Sequence, residues 1–345
     1  MDAALDALIA RFQADYCQLI GADKPPEHRI ALAVSGGPDS MAMLGLAAKA
    51  FPGRVIAATV DHGLRPESAQ ESAMVARACA EIGVPHAILR IESPPATRDN
   101  VQSWARQARY SLLKRWAMDA DAAVLCTAHH ADDQAETFLM RAARASGLSG
   151  LAAIRARVDS EEAQKKGASA TEQHRPLTIL RPLLHWRRAD LRTAAAAMGL
   201  PWVDDPSNND PRFDRARFRT WLQEAPWIDP AQIGRTAENM AAVDRDVFEI
   251  SRWLWQSRAL EAPDRESRFD VAGLPRGVKR YIARLAIDAI VEGSGRGAGS
   301  WSYSSNIEPL LDALEAGGSA TQSIVLASAK GTIWHFREAP PRRSH

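Results

Sequence analysis

Short apolar segments alternate with amphipathic segments between residues 29 and 145 of this chain. Four apolar segments have the length and the Val, Ile, Leu and Ala content of buried strands: 29–34, 54–60, 85–91 and 122–127. Three segments between them have apolar residues at helical spacing: 39–50, 66–82 and 100–119. Strands that alternate with helices of this length form βαβ units. The sequence therefore predicts an α/β fold with an open, mainly parallel sheet and flanking helices.

The remainder of the chain has a different pattern. After residue 220 it is mostly helical to about residue 291, and the tail has two strand-like segments, 322–326 and 332–336. A length of 345 residues suits two domains and a small appendage. We predict a mostly helical region and then a small C-terminal piece, with three domains over residues 1–220, 221–292 and 300–345.

Composition excludes several classes of protein. Hydrophobic residues make up 46% and charged residues 25% of the chain, which is typical of globular proteins and not of disordered or collagen-like ones. No run of about eighteen apolar residues occurs, so we expect no membrane partner. Three cysteines without a CxxC pair argue against zinc ribbons and iron–sulfur sites and favour a cytoplasmic location. The polar segment 159–174 predicts a surface insertion, and the sequence leaves a homodimer open.

The first predicted strand runs directly into a loop with the sequence SGGPDS. The loop comprises Ser35, Gly36, Gly37, Pro38, Asp39 and Ser40. Its two glycines permit a tight turn, and the exposed amides and two hydroxyl groups form an anion cradle at a helix start. It has no Walker A lysine, and Asp39 would repel a bare phosphate unless a divalent cation lies between them. The alternative is an ordinary turn with a Ser/Asp cap.

Polar side chains follow two further predicted strands. Asp61 and Arg65 follow the second strand. His129 and Asp133 follow the fourth strand, within residues 127–137 (TAHHADDQAET). Because ligands bind beyond the carboxyl ends of strands in an open parallel sheet, we expect these groups to converge with the SGGPDS loop. Adjacent histidines at a strand end point to opposite faces, so a zinc site is not favoured.

A later stretch is rich in arginine. Between residues 175 and 221 there are nine arginines and five acidic residues, which favours contact with a polyanion. The candidates for phosphate contact are Arg181, Arg212, Arg215, Arg217 and Arg219. Arginine suits planar and phosphate recognition. The alternative is a capped loop followed by a helix with a solvated, charged face.

Together these motifs resemble the PP-loop (N-type ATP pyrophosphatase) superfamily, and within it the tRNA(Ile)-lysidine synthases. The resemblance rests on SGGPDS (35–40), VDHGLR (60–65), ARQARY (105–110), TAHHADDQAETFLMR (127–141), RPLL (181–184) and DDPSNNDPRFDRARFR (204–219). It implies that ATP adenylates the wobble cytidine of a tRNA(Ile) with a CAU anticodon, and that pyrophosphate leaves. An amine of free L-lysine then displaces AMP to give lysidine.

The resemblance also implies roles for individual residues. It makes Asp39, Arg109, His129, Asp133 and Arg217 the candidate catalytic residues, with Arg106 one turn before Arg109 on the same helix face. Two of these carboxylates, Asp39 and Asp133, are the candidate Mg²⁺ ligands. ATP would contact the SGGPDS loop, Asp61 and Arg65, and the five arginines above would contact tRNA.

Two alternatives remain open at this point. The first is another PP-loop enzyme such as a tRNA thiolase, although sulfur transfer usually needs paired cysteines and Cys126 has no such partner in sequence. The second is a tRNA-binding protein without activity. The joint presence of SGGxDS and HHxxD argues against it, because an inactive site has no chemical need for both.

Overall fold

The structure is a computed structural model of the 345-residue chain. It describes residues 3–22, 27–61, 63, 67–91, 101–159, 177–204, 214–294, 301 and 305–340. Arg65, Arg212 and most of the predicted insertion lie outside these residues. The chain forms two compact units: Met1–Gly147 with Leu151–Glu238, and Leu148–Gly150 with Asn239–His345.

The first unit contains a six-stranded sheet. Its strands are β1 (Arg29–Ala33), β2 (Val55–Asp61), β3 (His86–Arg90), β4 (Ala122–Cys126), β5 (Arg157–Asp159) and β6 (Thr178–Leu180). They lie in the order β3-β2-β1-β4-β6-β5, and every neighbouring pair is parallel except β5 with β6. The predicted α/β fold with an open, mainly parallel sheet is confirmed.

Helices cover both faces of this sheet. In chain order the helices up to residue 258 are α1 (Ala3–Ile20), α2 (Pro38–Ala50), α3 (Glu67–Glu81), α4 (Val101–Asp119), α5 (Ala131–Ala142), α6 (Leu148–Leu151), α7 (Arg188–Ala197), α8 (Asp214–Glu224) and α9 (Pro230–Arg258). Most of α6 and of α9 belongs to the second unit. Ile30 and Leu32 of β1 pack in one core with α1, α2, α3 and α7, whereas Ala31 packs in a second core with α4. Successive strand residues thus enter opposite cores, which explains why these strands are apolar throughout.

The strand order places a crevice at the end of β1. β1 lies between β2 and β4, and the chain continues from β1 to β2 but from β4 toward β6, in opposite directions along the sheet. Such a switch point opens a crevice beyond the carboxyl ends of the strands. The SGGPDS loop follows β1 and residues 127–130 follow β4, so the fold brings both motifs to this crevice.

The helix that follows the SGGPDS loop, α2, packs closely against the residues after α7. An added Cβ at Gly45 would lie 2.6 Å from Met198 Sδ and 2.7 Å from Leu200 Cδ1. The residues after α7 therefore lie directly against the backbone of α2, because this position has no side chain.

The second unit has a five-stranded antiparallel sheet in the order β7-β8-β11-β10-β9. Its elements are β7 (Ala259–Leu260), β8 (Ser267–Asp270), α10 (Arg276–Gly293), α11 (Glu308–Glu315), β9 (Ser319–Gln322), β10 (Val325–Lys330) and β11 (Ile333–Glu338). One apolar core joins α10 and α11 to the sheet and includes Phe269, Ile282, Leu311 and Trp334.

Two sequence expectations differ from this unit. The strand predicted over 322–326 is wrong because Ser323, at φ 55°, turns the chain between β9 and β10. The strand predicted over 332–336 is confirmed as β11. The boundary predicted between residues 292 and 300 falls inside the second unit, and that at residue 220 falls inside the first. The three domain ranges stay predictions. Among the described helices, none has the length and apolar content to cross a bilayer.

Candidate active site

The SGGPDS loop is closed by its own hydrogen bonds. The Ser35 amide donates to Ser40 Oγ at 3.1 Å, and Ser40 Oγ donates to the Gly37 carbonyl at 2.9 Å. Gly36 has φ +84°, and a Cβ there would lie 3.3 Å from Val75 Cγ2. A side chain at this position would be strained and crowded, so the turn requires glycine.

The loop then enters α2 in the predicted way. Gly37 is the N-cap residue, Pro38 occupies the first turn and Asp39 is the acidic residue of that turn. Proline suits this position because the first amides of a helix have no partner within it. Because the first amides of a helix lack carbonyl partners within it, this end of α2 favours an anion.

A buried histidine joins the two candidate metal ligands. His130 Nε2 lies 3.3 Å from Asp39 Oδ2 and 3.6 Å from Asp133 Oδ2, and the imidazole is 1% exposed. On the other side of the ring, Nδ1 lies 3.6 Å from Asp132 Oδ2. The structure therefore brings Asp39 and Asp133 to one nitrogen atom, although 93 residues of chain separate them.

Electrostatics in this cluster favour a protonated His130. Burial alone would lower its pKa, but the carboxylates of Asp133, Asp132 and Asp39 raise the pKa to about 9. Burial likewise acts to raise the pKa of Asp133, but His130 and Arg215 hold that pKa at about 2. At pH 7 the cluster thus consists of an imidazolium ion surrounded by carboxylates.

His129 has the opposite environment. Its Nδ1 lies 2.9 Å from Thr127 Oγ1. Burial lowers the pKa of His129 to about 3, and Arg181, Arg106 and Arg215 lower it in the same direction, against Asp133. The ring is therefore neutral at pH 7, in contrast to an ordinary histidine, whose pKa is near 6.5.

Glu136 organises a group of arginines. Its side chain is 1% exposed, and its two oxygens bind three guanidinium groups: Arg188 at 3.0 Å, Arg215 at 2.9 Å and Arg219 at 2.8 Å. Arg215 also donates to Asp133 Oδ1 at 3.3 Å. Glu136 on α5 therefore links α7 and α8 to the carboxylate cluster.

The helical repeat places the arginines of α8 on two different faces of the helix. Arg215 and Arg219, four residues apart, both contact Glu136. Arg217 lies on another face of the helix. Its side chain is 69% exposed and its ion pair with Asp214 measures 3.8 Å. Arg217 is therefore the member of the series that is accessible to a large ligand.

Five residues of this cluster were not predicted from the sequence. They are His130, Asp132, Glu136, Arg187 and Arg188. The Asp132 carboxylate accepts the Arg188 amide at 2.9 Å and lies 3.4 Å from Arg187 Nε. The spacing of Asp132, Asp133 and Glu136 over one helical turn was a signal for a shared acidic surface. Nothing in the sequence connected it with residues 187 and 188.

The other predicted residues lie in distinct settings. The Asp61 carboxylate accepts hydrogen bonds from the Gly63 amide, at 3.0 Å, and from the Ser68 hydroxyl. Arg109 is exposed on α4, whereas Arg181 is 8% exposed after β6. Arg65 and Arg212 are outside the described residues, so their roles stay predictions.

The residues at Asp39 fit a divalent cation. Asp39 Oδ1 is buried and has no hydrogen-bond partner in the described chain. A hard carboxylate oxygen of this kind is a Mg²⁺ ligand, with phosphate and water oxygens completing the shell. Asp133 fits less directly because its oxygens accept from the His130 amide, at 3.2 Å, and from Arg215. Within the described residues no group of three or more His, Cys, Asp or Glu side chains is arranged around a metal position.

Comparison with known proteins defines the class. The sequence model of the PP-loop domain family matches residues 8–225, which is more than half of the chain. The fold is similar to that of the U34-tRNA thiolase NcsA from Methanococcus maripaludis, with a TM-score of 0.53 and 16% identity over 68% of this chain and 80% of that one. The fold and the loop at the switch point are thus those of a PP-loop protein.

Closer relatives define the branch of that class. The chain is 38% identical over 324 residues to the tRNA(Ile)-lysidine synthase of Zymomonas mobilis, covering 92% of this chain and 91% of that protein. It is 36% identical over 341 residues to the tRNA(Ile)-lysidine synthase of Novosphingobium aromaticivorans, covering 99% and 97%. The chain belongs to the tRNA(Ile)-lysidine synthase family.

Proposed function

We propose that the protein ligates lysine to the wobble cytidine of a tRNA(Ile) with a CAU anticodon, using ATP and releasing AMP and pyrophosphate. Its PP-loop domain implies use of ATP. The observation that carries the proposal is the convergence of Asp39 and Asp133 on His130 at the switch point, beside the SGGPDS loop. A cytoplasmic location, a homodimer and free lysine as the co-substrate stay predictions.

In the first step a carbonyl oxygen of the cytidine attacks the α-phosphate of ATP, and pyrophosphate leaves. The SGGPDS loop and the start of α2 bind the leaving pyrophosphate through backbone amides and the Ser35 hydroxyl. Developing negative charge is stabilised by fixed cations, of which His130 and Arg215 are the nearest to the carboxylate cluster.

In the second step an amine of lysine attacks the activated carbon, and AMP leaves. Asp133 is ionised, since its pKa is about 2, and it attracts an incoming ammonium group. The amine must lose a proton before it attacks. Solvent takes this proton, because His129, with a pKa of about 3, is too weak a base to accept it, and its neutral ring would act by hydrogen bonding.

Asp39 would hold Mg²⁺ through its unpartnered Oδ1. The cation, when bound, neutralises phosphate charge and makes the α-phosphate accessible to a weak oxygen nucleophile. Asp133 stays a proposed second ligand, although Arg215 donates to its Oδ1 at 3.3 Å.

The thiolase alternative is not favoured. Cys126 is buried at the end of β4, and burial raises the pKa of its thiol. A thiol in this setting does not form the thiolate that sulfur transfer requires.

The test is incorporation of radiolabelled lysine into a transcript of the minor isoleucine tRNA, with ATP and Mg²⁺. We expect label in the RNA and stoichiometric AMP. Asp39→Asn and Asp133→Asn should abolish AMP release and retain tRNA binding. Asp119→Asn, on the exposed surface of α4, is the matched control with normal turnover. Normal turnover in the first two variants would refute the assignment of these carboxylates, and absence of label with the unmodified protein would refute the function.

A further inference from the structure

A short segment at the start of α7 is fixed by α1. It comprises residues 185–188 (HWRR), and we call it the bridging segment. The Trp186 side chain is fully buried, and its Nε1 donates to Asp15 Oδ2 at 2.7 Å. The Arg11 guanidinium lies 4.2 Å from the centre of the Trp186 ring and donates to the His185 carbonyl at 2.9 Å. A buried indole N–H normally has a hydrogen-bond partner, and here α1 supplies it.

The bridging segment in turn holds the first turn of α5. The Trp186 carbonyl accepts a hydrogen bond from the Ala131 amide at 2.9 Å. This amide belongs to the first residue of α5, so it has no partner within the helix. The Arg188 amide donates to the Asp132 carboxylate at 2.9 Å, and the Arg188 guanidinium binds Glu136 at 3.0 Å. The start of α5 is thus attached to a segment that α1 fixes.

The first turn of α5 carries groups of the candidate active site. His130 directly precedes Ala131, and Asp133 follows it by two residues. His130 Nε2 lies 3.3 Å from Asp39 Oδ2 and 3.6 Å from Asp133 Oδ2. Because Ala131 lies between His130 and Asp133 in one helical turn, a displacement of its backbone would move both of their side chains.

Trp186 acts through its neighbours. Its side chain is fully buried and bonded to α1, so it does not reach a bound substrate. The SGGPDS loop is closed by different hydrogen bonds, from the Ser35 amide to Ser40 Oγ and from Ser40 Oγ to the Gly37 carbonyl. Loss of the bond between Asp15 and Trp186 should therefore change the geometry of the α5 groups and leave the binding of ATP phosphates intact.

We propose that Asp15 and Trp186 are positioning residues of the lysidine reaction. The hydrogen bond between them fixes the Trp186 carbonyl, and this carbonyl fixes the first turn of α5 with His130 and Asp133. The inference rests on the proposed function, which supplies the reaction. Small misplacements of groups at a reacting centre lower the turnover rate even when the substituted residue is remote from it.

The test measures kcat and KM for ATP in the radiolabelled-lysine assay with the full-length protein. Asp15→Ala removes the acceptor of the indole hydrogen bond, and we expect kcat to be about tenfold lower with an unchanged KM for ATP. Asp15→Asn keeps a side-chain oxygen that can accept the same bond, so its kcat should be near normal. Each variant is assayed at a temperature at which differential scanning fluorimetry shows it to be fully folded.

Tyr16→Phe is the matched control on α1. It removes the hydrogen bond of a buried side chain, at 3.3 Å between Tyr16 Oη and His28 Nε2, which leads away from the bridging segment. Its thermal stability should fall by an amount similar to that in Asp15→Ala, while its kcat stays normal. Trp186→Phe removes the indole N–H and keeps the carbonyl, so adding Asp15→Ala to it should lower kcat no further.

Hydrogen exchange measures the displacement itself. Asp15→Ala should loosen the bond between the Ala131 amide and the Trp186 carbonyl, and exchange at the start of α5 should accelerate. Tyr16→Phe should leave this exchange unchanged.

Three results would overturn the proposal. The first is a normal kcat in Asp15→Ala, and the second is an equal loss of kcat in Tyr16→Phe. The third is an equal loss in Asp15→Asn, which would assign the effect to the charge of Asp15 and not to the hydrogen bond. Failure of the proposed function has a different signature: the unmodified protein would incorporate no lysine, while exchange at the start of α5 would still respond to Asp15→Ala.

Discussion

At the level of single residues, charge compensation separates two kinds of arginine in the first unit. Arg188, Arg215 and Arg219 share the buried Glu136, whereas Arg181 has a buried Nε without a partner. The first kind stabilises the protein through a buried ionic network. The second kind is held by the backbone, since Arg181 Nη1 donates to the Arg155 carbonyl at 2.6 Å.

Glu136 provides the stability prediction at this scale. Glu136→Gln removes the buried carboxylate that three guanidinium groups share, although Arg215 keeps Asp133, and loss of one partner of a buried pair costs about 3–5 kcal/mol. We expect a loss of this size in the free energy of unfolding of the first unit, measured by urea titration. Glu249→Gln, which removes an exposed pair with Arg252, should change it by less than about 0.5 kcal/mol. Equal effects of the two substitutions would contradict the ionic role of Glu136.

At the level of secondary-structure elements, helix faces decide which motif residues act together. α5 directs Asp133 and Glu136 toward α8, and α8 directs Arg215 and Arg219 back toward them. Arg217 lies on the exposed face of the same helix. The sequence analysis treated the arginines of α8 as one group, and the helical repeat separates them into internal and accessible members.

For α8 the prediction contrasts the effects of replacing Arg217, on the exposed face, and Arg219, which contacts Glu136. Arg217→Gln should weaken tRNA binding and lower the salt slope by about 0.7–0.9, with unchanged thermal stability because the side chain is 69% exposed. Arg219→Gln should lower thermal stability, because it removes a 2.8 Å ion pair with buried Glu136. Filter binding and differential scanning fluorimetry measure the two effects. The reverse pattern would show that the faces of α8 are wrongly assigned.

For α2 the prediction concerns the contact at Gly45. Gly45→Val places atoms within the space of Met198 and Leu200, and overpacking of this kind costs about 1–3 kcal/mol. Met198→Ala in the same chain should restore part of the loss, as a double-mutant cycle in urea would measure. Gly277→Val in α10 is the control, since an added Cβ there meets nothing within 4 Å. An additive cycle would contradict direct contact.

At the level of the whole molecule, the two compact units use different means of stabilisation. The first has two apolar cores on a parallel sheet, and its ionic cluster lies at the switch point. The second has one core against an antiparallel sheet, with an ion-pair network at the surface. In that network Glu308 binds Arg280 Nε at 2.6 Å and Arg276 Nη2 at 2.9 Å.

The network predicts how the second unit responds to acid. Hydrogen bonds from Arg280 and then Arg276 lower the pKa of Glu308 from 4.5 to about 2. Because the pKa is lower in the folded state, the contribution of Glu308 is complete above pH 4.5 and disappears as the pH falls through 2. Hydrogen exchange of β10 and β11 should be faster in Glu308→Gln than in the unmodified protein at pH 6, and the difference should vanish near pH 2. Glu261→Gln is the exposed control. A difference that persists at pH 2 would exclude this linkage.

Much of the fold and part of the candidate site follow from local patterns. The apolar strands, the helical spacing and the SGGPDS turn depend on residues close in the chain, so β1 to β4 and α2 to α4 lie close to their predicted positions. The strand predicted over 322–326 failed because one turn residue, Ser323, ends β9 inside it. The family resemblance added the association of SGGPDS with HHADDQ.

The sequence by itself determined the α/β class, the phosphate loop and the set of charged residues that follow the strands, because each of these arises from local spacing. Only the tertiary structure decided how those charges combine. It placed His130 beside both Asp39 and Asp133, brought three arginines to Glu136, and bound Arg181 to the Arg155 carbonyl. The physical reason is that pairing of charges depends on distance and burial between elements that are remote in the chain.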